Sequence, residues 1–164
     1  MRLSAQYDFP AGAERVAGLL ASKDFVLAAA KRTHALSSEA AVSTTPDGAF
    51  TVTLRRTLPV DGLPAAARQF LPGGLEIRQA VAWEPPGPDG AREASVAGDI
   101  AGAPVHLIGT ARLAPTKAGC RLDFDGEVKA AVPLLGRSIE EAAVPAIVKV
   151  LDAEHAEALD QLSA

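Results

Sequence analysis

The last third of the chain couples a strand to a long helix, and that coupling limits what the remainder can fold into. From Gly119 to Lys129, the residues Cys120, Leu122, Phe124, Gly126 and Val128 alternate with Arg121, Asp123, Asp125, Glu127 and Lys129. This is the period-two pattern of a sheet with one dry face and one wet face. The chain then runs through Val132-Pro133-Leu134-Leu135-Gly136 into a helix expected from Ser138 onward. In that helix Ile139, Ala143, Ile147, Val150, Leu151, Leu159 and Leu162 recur at three- to four-residue spacing. A dry sheet face needs a cover, and this helix is the natural one. A curved antiparallel sheet closed by a helix can leave a cavity between the two, so the pairing points toward ligand binding.

The upstream sequence supplies the rest of such a sheet. Leu3, Ala5, Tyr7 and Phe9 alternate as one face of a first strand, which Pro10 stops. Val16, Leu19 and Leu20 form the stripe of a short helix, and Ser22 or Asp24 caps a second from Phe25 to about Arg32. A weakly alternating stretch from Leu36 to Thr44 turns at Pro46-Asp47-Gly48 into a strongly alternating one from Phe50 to Leu58. A long connection from Pro59 to Gly74 contains a helical turn or two around Ala65 to Leu71. Further strands are expected over Leu75 to Trp83, Arg92 to Ile100 and Val105 to Leu113, with Pro115 to Gly119 as the last turn. The joints between these later strands are short, so successive strands should be antiparallel neighbours. Pro145 interrupts the long helix, and a kink or break near Glu141 is expected.

At 164 residues one domain spanning 1–164 is the default. The 48% hydrophobic content comes mostly from Ala, Val and Leu, with only 4% aromatic residues, so the core is built from small pieces. A net charge of −4 without a basic stripe argues against nucleic acid, since Arg55 and Arg56 point to opposite faces of their strand. The lone Cys120 excludes an internal disulfide or a cysteine zinc cluster and falls in the apolar register of its strand. The first strand lacks the continuous apolar run of a signal peptide, and no segment nears the ~20 apolar residues of a membrane span. A cytoplasmic protein with no integral membrane segment is the expectation.

The order strand, two helices, six strands, long helix is an α+β arrangement that resembles the helix-grip fold of the START-like (SRPBCC) superfamily. That superfamily includes lipid-transfer START domains, plant pathogenesis-related proteins and polyketide cyclases. The opening Met1-Arg2-Leu3-Ser4-Ala5-Gln6-Tyr7-Asp8-Phe9-Pro10 and the Leu71-Pro72-Gly73-Gly74-Leu75 turn leading to Trp83 look more narrowly like one bacterial branch. So does Pro133-Leu134-Leu135-Gly136 before Ile139-Glu140. That branch is the domain of unknown function 2505. The resemblance implies a curved sheet of about seven strands under a long terminal helix. It also implies the holding, and possible carriage, of a hydrophobic or amphipathic small molecule between them. It supplies no catalytic residue to transfer.

On the apolar face of its strand, Arg56 accompanies Phe50, Val52, Leu54 and Leu58, and Gln79 accompanies Ile77, Val81 and Trp83. A buried guanidinium is costly unless paired, so Arg56 either meets a ligand carboxylate or phosphate, or pairs locally or snorkels to solvent. Gln79 either recognises ligand or bonds to backbone or to Tyr7. Tyr7 and Trp83, each a large apolar body with one polar tip, suit ordinary core packing first and a cavity wall second. Asp152 and His155, three residues apart with Glu154 between, make a surface ion pair or a weak two-ligand site. His106 should face away from Val105 and Leu107. The ligand-lining set is Tyr7, Val52, Leu54, Arg56, Gln79, Val81, Trp83, Phe124, Ile147 and Leu151. No nucleophile elbow, phosphate loop or dinucleotide fingerprint occurs, so no catalytic residue, metal or cofactor is assigned. Two competitors remain. One is a cyclase- or hydratase-type enzyme in which Arg56, Tyr7 or Gln79 polarises a carbonyl in the same pocket. The other is a protein-interaction module with a filled core that uses the Pro59 to Gly74 segment.

Overall fold

The strong alternation of the later strands is realised as one seven-stranded antiparallel sheet. The computed structural model describes residues 1–69 and 71–164, without the side chains of Ala66 and Ala67. Strand β1 (Arg2–Phe9) is followed by helices α1 (Ala13–Leu20) and α2 (Lys23–Arg32), then β2 (Ser37–Thr44) and β3 (Phe50–Leu58). The short α3 (Ala65–Arg68) precedes β4 (Leu75–Trp83), β5 (Arg92–Ile100), β6 (Val105–Thr116), β7 (Gly119–Ala130) and the 28-residue α4 (Gly136–Ser163). The spatial order is β1-β7-β6-β5-β4-β3-β2, so every tight joint links neighbours and β1 closes onto β7. This is the α+β helix-grip arrangement. Among the described residues, no helix is long and apolar enough to cross a membrane.

Local chemistry accounts for most boundaries. The hydroxyl of Ser22, rather than Asp24, caps α2 by accepting the Phe25 N–H at 3.4 Å. The helical turn expected over Ala65 to Leu71 is seen as α3, while Phe70 lies outside the described residues. β6 continues three residues past Leu113, so the turn into β7 shrinks to Lys117 and Ala118. Pro115 fits there because β5 ends opposite Leu113 and leaves that edge of β6 free. A second correction concerns Pro145. α4 runs through it without a break, and both Pro145 and Glu141 are exposed, so water can reach the carbonyl that loses its donor.

The dry face forms the core with α1 and α2. Val16, Leu113, Cys120 and Val128 are fully enclosed, and Phe9, Phe25, Phe50, Trp83 and Phe124 supply the bulk. Burial, and then the charge of Asp8, push the Cys120 thiol up to about 11, which keeps it an inert hydrophobe. The close helix-to-sheet approaches are α1 on β6 and β7, α2 on β2, and α4 on β7 and β1. α4 also lies along α2. Strands β3, β4 and β5 are therefore covered by side chains reaching across, not by a helix pressed onto them.

Gly119 lets the last hairpin close against the start of α1. Its φ is +155°, and an added Cβ would run into the backbone of Phe9 and Ala11. Gly119→Ala should lower unfolding stability by about 2 kcal/mol in urea titration. An unchanged midpoint would show that this junction yields easily.

Candidate ligand-binding site

The inner sheet face is mostly apolar, with a buried charge near the end of β3. Arg56, opposite Ile77 in the ladder, is only 3% exposed. Its Nη2 donates to Gln79 Oε1 at 3.3 Å, and its Nε–H, also buried, has no partner. None of the ion pairs among the described residues includes it. A guanidinium brings five donors in a planar fork, so a single neutral acceptor leaves most of its capacity unused. Burial lowers the Arg56 pKa, and Glu154 on α4 opposes that by its charge.

Glu154 faces Arg56 from the helix. Burial raises its pKa, against the attraction of Arg56 and a hydrogen bond from Gln79. Gln79 thus offers its oxygen to the guanidinium, and its amide lowers the Glu154 pKa against the effect of burial. Three polar groups from β3, β4 and α4 converge inside an apolar layer.

The layer around them is not closed. On the sheet Ile77, Val81, Ile100 and Leu107 are only half-buried, and so are Val144, Ile147, Val148 and Leu151 on α4. Ala158 is the one buried residue of that helix. Arg56 and Gln79 thus lie among half-buried apolar residues of the sheet and of α4. The register places two hollows on the wet face of the sheet. One, of about 1000 Å³, runs between the rows Glu39, Arg55, Arg78, Asp99, His106 and Ala41, Thr53, Ala80, Ala97, Ile108, reaching Lys23 and Leu27 at the β2 edge. The other, of about 560 Å³, lies around Gln6, Thr110, Arg112 and Asp123. Both are open grooves between rows of surface side chains.

The structure sorts the expected lining residues into two groups. Arg56 and Gln79 meet, Leu54 and Val81 flank them along the same strands, and Ile147 and Leu151 stand on the helix opposite. Val52, Trp83 and Phe124 instead belong to the packed core. Trp83 stacks on Phe50 with centroids 6.0 Å apart, four residues beyond Gln79 and so roughly 13 Å along the strand. Phe124 occupies the space that the missing side chains of Gly109 and Gly126 leave open. Tyr7 does not reach Gln79. Its hydroxyl donates to Asp152 at 2.7 Å, and desolvation, followed by Asp152, pushes its pKa upward.

Asp152 and His155 do not pair with each other, because each is engaged by β1. Asp152 accepts from Tyr7, while His155 Nε2 lies 2.8 Å from the Asp8 carbonyl oxygen with its ring against Tyr7 and Phe9. Among the described residues, no cluster of His, Cys or acidic groups is arranged to hold a metal. His106 is exposed on the wet face, as the alternation predicts. The functional residue that sequence reasoning passes over is Glu154. Its signal was present, since Ile147, Leu151, Glu154 and Ala158 follow a four-three-four spacing that puts the carboxyl on the sheet-facing stripe.

Two expectations follow from this geometry. Replacing Arg56 by Met removes a buried charge that no direct ion pair holds while keeping its volume, so the unliganded protein should be as stable or up to about 2 kcal/mol more stable in chemical denaturation. A loss of 3 kcal/mol or more, on the order of breaking a buried ion pair, would make Arg56 a structural group. For Glu154 the folded pKa lies above its ordinary 4.5, so its favourable contribution is complete below that value and is lost as pH rises through the folded pKa. The stability advantage of Glu154→Gln over wild type should therefore grow from pH 4.5 toward neutrality in pH-resolved melting. A constant difference across that range would contradict the burial of this carboxyl.

The family model described as protein of unknown function (DUF2505) matches residues 4–162. An uncharacterized protein of Mycobacterium tuberculosis is 32% identical over 96 residues, 57% of this chain and 55% of that protein. The chain thus spans about half the length of the curated relatives it matches. Among solved structures, the Zhui aromatase/cyclase from Streptomyces sp. R1128 superposes with a TM-score of 0.61 at 14% identity, over 98% of this chain and 92% of that one. A START superfamily protein from Mycobacterium smegmatis gives 0.53 at 15% identity over 98% of each chain. At these identities the likeness is one of fold, and the fold is START-like.

Proposed function

The chain belongs to the DUF2505 family, and from that premise we propose that it holds a hydrophobic or amphipathic small molecule between α4 and the inner sheet face, without acting on it chemically. The observation that carries this reading is the buried Arg56, whose Nε–H is unused on a mostly apolar face. Burying a charge without a partner is costly, and a ligand acceptor at that point offsets the cost. The apolar body of the ligand lies against Val81, Leu107, Ile147 and Leu151, and its polar end reaches Arg56 and Gln79. The half-open apolar surfaces on both sides of the cleft support this placement, as does the use of the same fold by an aromatase/cyclase and a START superfamily protein.

A second reading, carbonyl chemistry in the same cleft, is favoured by the convergence of Glu154 with Arg56. Arg56 would polarise a carbonyl, and the Glu154 carboxyl, whose pKa burial raises, would move a proton. A ligand whose mass changes on incubation with wild type but not with Glu154→Gln would select it.

The cleft itself is tested with Nile red, which brightens in apolar surroundings. One dye should bind per chain, and Ile147→Trp, which fills the space beside Leu151, should weaken it at least about tenfold, equivalent to ~1.4 kcal/mol. Equal binding by that variant, or none by wild type, would count against the cleft.

A further inference from the structure

The convergence of three polar groups narrows the ligand class, granted the cleft-binding reading above. Arg56 is nine-tenths buried, its described partner is the neutral Gln79 oxygen, and its Nε–H points to no acceptor. The other arginine in the inner register, Arg92, sits at the far end of the sheet and is taken up by the carbonyls of Gly48 and Glu84. A single guanidinium suits a head group of one negative charge better than a phosphate monoester, which carries nearly two.

We propose that the cleft takes a carboxylic acid. Its ionised head group binds Arg56 through the free Nε–H and an adjacent Nη–H, and it displaces Glu154 as the charge that balances the guanidinium. Glu154 takes up a proton as the ligand enters, so that one carboxylate, not two, faces Arg56. The remaining groups around Glu154 are already engaged. Tyr7 of β1 donates to Asp152, His155 contacts the Asp8 carbonyl, and Glu157 and Asp160 are held by Arg32 of α2. Gln79 of β4 stays the neutral partner of Arg56. The direction in which burial drives Glu154 is the one this exchange requires. Two like charges sharing a buried cation cannot both stay ionised, which is the physical basis of the coupling.

The test is isothermal titration calorimetry of the full chain with dodecanoic acid and 2-naphthoic acid, each beside the matching alcohol, in phosphate and in Tris near neutral pH. The proposal expects at least one acid to bind about 10- to 100-fold tighter than its alcohol, the range of a charge-assisted hydrogen bond. It also expects the buffer difference to report uptake of close to one proton, lost in Glu154→Gln, and affinity that falls as pH rises. Arg56→Met should erase the preference for acid over alcohol while leaving the alcohol bound. An acid and alcohol that bind equally, or an alcohol that binds better, overturns the proposal and leaves cleft binding standing. Tight acid binding without proton uptake overturns the exchange with Glu154. If no acid and no alcohol binds wild type, both this proposal and the cleft reading fall.

Discussion

A guanidinium buried on a mostly apolar face without an ion pair is the constraint around which this molecule is arranged. Arg56 occupies an inner-face position of β3 where Phe50, Val52 and Leu54 precede it, and strand alternation leaves it no route to the wet side. Its neighbours are chosen to make that position possible. Gln79 offers an oxygen from β4, and Glu154 brings opposite charge from α4 without closing a direct ion pair. A protein optimised only for stability would place a hydrophobic residue here, because replacing buried charge by apolar volume is often neutral or favourable. An uncompensated group that persists in a fold is a pointer to use.

The way α4 is held fits the same account. Near its start, Glu140 accepts the Ala130 N–H at 3.0 Å. Its last turns are tied down by Tyr7 to Asp152, Arg32 to Glu157 and Asp160, and His155 to the Asp8 carbonyl. Between these tethers, Val144, Ile147, Val148 and Leu151 meet the sheet through half-buried apolar contact alone. Apolar contact is non-directional, so this middle section can adjust to a ligand without breaking a specific bond. The tethers fix where the helix lies, and in the proposed reading the stretch between them borders the bound molecule.

Much of this was legible in the sequence because it rests on periodicity. Two-residue alternation marked the strands, the Pro and Gly clusters marked their joints, and Arg56 and Gln79 stood out as polar residues in an apolar register. What escaped depended on distances between elements. Tyr7 shares its face with Gln79, yet it lies on the edge strand β1, with β7, β6 and β5 between it and β4, and finds Asp152 on the helix instead. Trp83 and Phe124 share the inner face but lie elsewhere along it from Arg56, one stacked on Phe50 and the other filling a gap over two glycines. Glu154 was read as a neighbour of Asp152 and His155 in sequence. Helical geometry turns it roughly 100° from His155 and onto the sheet-facing stripe. At Pro145 the expectation was a kink or a break, and of these the break does not occur, since water can reach the freed carbonyl.

The most direct test is native mass spectrometry of the protein purified from its own host, followed by organic extraction and identification of whatever is released. The account predicts one amphipathic small molecule per chain, lost when Arg56 is replaced by Met in a variant that still folds. A bare protein mass, joined to the absence of any thermal shift across a panel of lipids and polyketides, would contradict it.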